Sequence, residues 1–130
     1  GTSTAALTIS GNSNSSGVTV NVEQWNGTGW TEIANINRAR ENAGSGGTVT
    51  TALYFGGEPA GENTEYYDGT SWTEVANLAT DRYQISRGNV GTAELGICIG
   101  GTGPAGPNPV LTATEEWTIS DFTTKTFDTD

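Results

Sequence analysis

Apolar positions along the chain fall into short runs bounded by glycine, and one pattern returns three times. Gly1-Thr2-Ser3-Thr4-Ala5-Ala6-Leu7 reappears as Gly47-Thr48-Val49-Thr50-Thr51-Ala52-Leu53, and Gly91-Thr92-Ala93 opens a third copy. Each opening leads into an apolar stretch that closes on glycine, at Ser10-Gly11, Gly56-Gly57 and Gly100-Gly101. A second block follows each closure. It reads Glu23-Gln24-Trp25-Asn26-Gly27-Thr28-Gly29-Trp30 first, then Glu65-Tyr66-Tyr67-Asp68-Gly69-Thr70-Ser71-Trp72, then Glu115-Glu116-Trp117. Trp25, Tyr67 and Trp117 therefore align, as do Trp30, Trp72 and Phe122, and Arg40 aligns with Arg82. Self-similarity at this period marks a repeat architecture in which each unit needs neighbours to bury its faces.

One unit reads as four short strands. In the middle copy they are expected near Asn42–Gly46, over Val49–Phe55, over Thr64–Tyr67 and over Ser71–Val75. Asn26-Gly27 and Asp68-Gly69 supply the positive φ that a tight hairpin needs. The pairs Gly56-Gly57 and Gly100-Gly101 let the backbone turn where a Cβ would clash. The chain opens at a second strand, so the first unit lacks its first, and about eleven strands are expected rather than twelve. The alternating tail Phe122-Thr123-Thr124-Lys125-Thr126-Phe127 reads as a terminal strand.

Leu53-Tyr54-Phe55-Gly56-Gly57, then Tyr67, then Trp72 and Arg82, resembles the kelch repeat, and the resemblance covers essentially the whole chain. It implies an all-β fold of kelch-like β-propeller blades, about three four-stranded antiparallel units in one domain over 1–130, starting at 1, 47 and 91. Trp25-Asn26-Gly27-Thr28-Gly29-Trp30-Thr31-Glu32 is also similar to kelch-like repeats of phage structural proteins, marine ones especially. Three units do not close a propeller, which usually needs about four to eight blades. The open sheet edges and apolar ends are therefore expected to be covered, by other copies of the chain or by further blades.

Composition supports the class and narrows the partners. Thr favours strands, and Gly and Asn favour turns. Five Lys and Arg stand against fifteen Asp and Glu, a net charge of −10. Such a chain repels nucleic acid and anionic membranes. No apolar run approaches a membrane-spanning length. The chain opens at Gly1 and contains no Met, which reads as a processed chain or the ordered part of a longer one. Its one cysteine, Cys98, lies in the apolar run Leu95–Ile99 and reads as a buried core residue.

Chemistry is sparse. Without histidine there is no Ser-His-Asp triad and no common zinc site. Glu115 and Glu116 are adjacent and point to opposite faces of a strand, so they form no catalytic pair. No catalytic residue, metal ligand or cofactor is expected. Glu23, Glu65 and Glu115 repeat at one position and read as hydrogen-bond acceptors within the scaffold. Arg40 and Arg82 read as anchors between blades. Trp25, Trp30, Tyr67, Trp72 and Trp117 are core aromatics by position, yet flat rings also stack on sugars. The variable stretches Asn12–Gly17, Glu58–Asn63 and Thr102–Leu111 follow the glycine closures and are expected on one face. Asn108 in the longest is a candidate binding residue.

The residues thus point to a non-enzymatic structural or adhesion module of a virion or extracellular assembly, such as a phage tail or fibre. Its partners would be further copies or neighbouring structural proteins. The alternative is a carbohydrate-binding propeller assembled by oligomerisation, with a host-surface glycan as ligand.

Overall fold

The computed structural model describes residues 1–85, 91–104 and 109–118, and the backbone of 123–127. All regular structure among them is β. Ten strands form three antiparallel sheets. The first sheet holds β1 (Ala6–Ser13), β2 (Gly17–Trp25) and β3 (Trp30–Glu32). The second holds β4 (Gly44–Gly47), β5 (Ala52–Phe55), β6 (Thr64–Tyr67) and β7 (Trp72–Glu74). The third holds β8 (Leu95–Ile99), β9 (Thr114–Thr118) and β10 (Thr123–Phe127). Neighbours in sequence are neighbours in each sheet, and no barrel or ring closes among the described residues.

The registers repeat with the sequence. Ala6 pairs with Trp25, Ala52 with Tyr67 and Gly96 with Trp117. The first sheet lacks the strand that β4 provides in the second, as the repeat implies. In the third copy that strand would fall in 86–90, outside the described residues. Gly91 nevertheless bridges to Gly96 where Gly47 pairs with Ala52. The tail strand β10 pairs along β9 from Thr123↔Thr118 to Phe127↔Thr114. The residues before it, 119–122 with Phe122, lie outside the described residues.

Beyond shifts of one or two residues at the ends of β4 and β7, two strands differ from the sequence expectation. The second strand of the middle unit starts at Ala52, not Val49, because Thr48–Thr51 forms a turn. There Thr48 N donates to Thr51 O at 2.7 Å and the Thr48 hydroxyl accepts from the amides of Thr50 and Thr51. In the first unit the strand does not end at Ser10-Gly11. It bulges between Ile9 and Gly11 and runs on to Ser13, so most of Asn12–Gly17 belongs to a hairpin rather than a loop. Ser10 still takes φ 57°, close to the 66° of Gly56 and 63° of Gly100. Its hydroxyl compensates for that conformation, lying 2.6 Å from the Thr19 carbonyl and beside that of Arg40.

Gly56 has no such freedom to change. A Cβ there would come within 2.7 Å of the Arg82 carbonyl, at a φ that L side chains disfavour. Gly56→Ala is expected to lower stability by about 2–4 kcal/mol, from the left-handed conformation plus overpacking. A urea melt within about 0.5 kcal/mol of wild type would contradict that tightness.

Packing is set by strand alternation. β5 is buried throughout, with side chains leaving alternately toward its two neighbours. Ala52 and Tyr54 join Val22, Ile36, Tyr67 and Trp72 in a core with Leu7 and Ile9 of the first sheet. Leu53 and Phe55 join Leu78, Ile85, Cys98 and Trp117 in a core with the third. The links between sheets follow one path twice. Ile33 and Ile36 donate to Val22 and Val20, and Val75 and Leu78 to Thr64 and Glu62, laying each link along the sheet it leaves.

Candidate functional site

The repeated polar residues meet at the links. Arg40 follows β3 and is fully buried. Its Nη1 donates to Glu65 Oε1 at 2.8 Å, its Nη2 donates to the Tyr54 carbonyl at 3.0 Å, and its guanidinium carbon lies 4.6 Å from the centre of the Tyr54 ring. Glu65 Oε2 accepts from the backbone and side-chain nitrogens of Asn37 at 2.7 and 2.8 Å. Burial pulls the Arg40 pKa below its ordinary value, and the Glu65 carboxylate opposes that fall. Arg82 repeats the device after β7. Its Nη1 donates to the carbonyls of Gly100 and Ala113, both at 2.9 Å, and its Nη2 to Glu115 Oε1 at 2.5 Å. Glu115 Oε2 accepts from Ala79 N at 2.6 Å. Each arginine thus fastens a link onto the sheet that follows it.

The pairing itself was not readable from the sequence. The partners are 25 residues apart in one case and 33 in the other, because the intervening loops differ in length. Their common signal was the recurrence of each residue at its own repeat position. Glu23, the third carboxylate of that set, is exposed.

The turns also recur. Asp68 Oδ1 accepts from the amides of Thr70 and Ser71, both at 2.8 Å, and Asn26 Oδ1 accepts from Thr28 and Gly29 at 2.9 and 3.0 Å. Both are four-residue turns rather than two-residue ones, with Gly27 and Gly69 each at φ 97°. The backbone N–H of Ser71, then that of Thr70, holds the Asp68 carboxyl below its usual range.

The candidate binding residues are placed differently from one another. Tyr67, Trp72 and Trp117 lie in the two cores. Trp25 is half-buried, with its Nε1 donating to Ser3 O at 3.0 Å. Trp30 is 49% exposed and tilts against Trp25 with ring centres 5.4 Å apart. Asn108 lies outside the described residues. Gly56, Gly57, Gly100 and Gly101 all have positive φ at the closures.

Loops and links meet beside those closures. Glu58 pairs with Glu41 and Thr102 with Tyr83 through their backbones. A cleft of about 390 Å³ opens between the first two sheets, lined by Ile9, Asn12, Glu41, Asn42 and Tyr54 among others. A second, of about 320 Å³, lies between the later loops, lined by Glu58, Pro59, Asp81, Tyr83 and Pro104. No three Cys, Asp or Glu side chains converge as a metal site among the described residues.

Burial pushes the Cys98 thiol up to about 11, with the Arg82 charge acting against it. At pH 8 only about a thousandth would be thiolate. Cys98 is therefore expected to resist iodoacetamide in the folded chain and to react on unfolding. Rapid labelling under native conditions would contradict its burial.

The fold defines a class: an all-β chain of repeated antiparallel sheets packed face to face in series. No family model and no curated protein matches the chain. Among solved structures it is similar to one titled "Structure of YjhT", with a TM-score of 0.72 and 14% identity over 96% of this chain and 43% of that one. The chain thus spans less than half the length of that structure, and a likeness at this identity concerns the fold alone.

Proposed function

We propose that the chain is a run of kelch-like propeller blades serving as a non-enzymatic structural or adhesion module of a virion or extracellular assembly. The observation that carries this reading is the use made of the repeated polar residues. Arg40, Arg82, Glu65 and Glu115 are buried and bonded to one another and to backbone, so they hold links to sheets and face no substrate. The ring is completed by other sheets of the same kind, two copies giving six. Mass spectrometry of purified particles and of culture fluid tests the role. The chain is expected there in stoichiometric amount, and its confinement to the cell interior would overturn the reading.

Exposed Trp30 beside Trp25 favours one second reading, a carbohydrate-binding module. A glycan array is expected to show binding that Trp30→Ala abolishes. An array without hits removes this alternative and leaves the first.

A further inference from the structure

The two end sheets expose complementary faces. On β8, Gly96 and Cys98 turn inward, while Leu95, Ile97 and Ile99 are 59%, 39% and 53% exposed. The paired registers make Ile97 and Ile99 the repeats of Leu53 and Phe55, and of Leu7 and Ile9. Each of those earlier pairs is covered by the next sheet. Leu7 and Ile9 share a core with Tyr67 and Trp72, and Leu53 and Phe55 share one with Trp117. The aromatic positions that would cover Ile97 and Ile99 are those of Trp25 and Trp30. They lie at the other end of the same chain, with Trp30 half exposed.

We infer that the outer face of the third sheet docks on the outer face of the first sheet of a second copy of this chain. The occupant follows from continuity with two interfaces the molecule already contains. The aliphatic pair on one sheet meets the aromatic pair on the next, and the end sheets carry one half each. Such an interface is heterologous, since each copy offers two different faces. It closes into a ring or continues as a fibre according to the rotation between copies. Docking covers Trp30, so it agrees with the first function above and not with the second, and closure by two copies rests on the propeller reading.

Light scattering on the 130-residue chain and two outward-facing variants tests it. Trp30→Glu blocks one face and Ile97→Glu the other. Wild type is expected at two copies or more, at least double the 13.5 kDa of one chain. Each variant is expected to be monomeric, with a wild-type circular dichroism spectrum. An equal mixture of the two retains one intact face of each kind and is expected to form a one-to-one dimer. A wild-type monomer at the highest soluble concentration overturns the proposal. So does a mixture that stays monomeric while both variants remain folded. Growth beyond two copies supports the interface and overturns ring closure by two copies.

Discussion

Arg82→Met is expected to cost about 3–5 kcal/mol, the range for removing one partner of a buried ion pair. A domain of this size has about 5–15 kcal/mol in total, so the loss takes a large share of its stability. The cost arises from what is left behind. Glu115 is 1% exposed and would be an uncompensated buried charge. The carbonyls of Gly100 and Ala113 would each lose a donor as well. Replacing both members, Arg82→Met with Glu115→Leu, removes the stranded charge and is expected to be more stable than Arg82→Met alone. It does not restore wild type, since both carbonyls still lack the donor that Arg82 supplied and the Ala79 amide loses the carboxylate it donates to. Urea unfolding of the three proteins measures this. A single variant within about 1 kcal/mol of wild type would mean that the pair does not hold the link.

Trp72→Ala and Trp30→Ala should differ several-fold in cost although the two residues occupy one repeat position. Trp72 is 6% exposed, stacked on Tyr67 at 5.0 Å and edge-on to Tyr54 at 6.5 Å. Its truncation is expected to cost about 3–5 kcal/mol. Trp30 lies on the open face, and its truncation is expected to cost about 1 kcal/mol or less. The comparison belongs in the Ile97→Glu background, where association does not add to the stability of either. Trp72→Phe is a useful third variant. Trp72 Nε1 is buried without a hydrogen-bond partner among the described residues, so phenylalanine discards an unsatisfied donor along with some apolar area. It is expected to fall well short of the alanine cost. Equal thermal shifts for Trp30→Ala and Trp72→Ala would show that the first sheet is already covered.

These two pairs of residues show where sequence reading stops. Arg40 and Arg82 were recognisable as repeat positions, and Glu65 and Glu115 likewise, but nothing local says that they bond. The contact depends on a link folding back over the following sheet, and the loops between the partners differ in length. Trp30 and Trp72 are indistinguishable by motif, because burial belongs to the neighbouring sheet rather than to the strand that carries the ring.

The sequence by itself determined the three copies, the all-β class, the third strand of the middle unit at Thr64–Tyr67 and the sharp closures at Gly56-Gly57 and Gly100-Gly101. These follow from side-chain alternation and from φ preferences, which act over a few residues and leave a direct mark on composition. Only the tertiary structure decided that β1 bulges past Ser10-Gly11, that each arginine closes on a glutamate of the next sheet, and which aromatics are covered. Those outcomes depend on segments far apart in the chain meeting across a packed face, and burial and ion pairing are properties of that meeting.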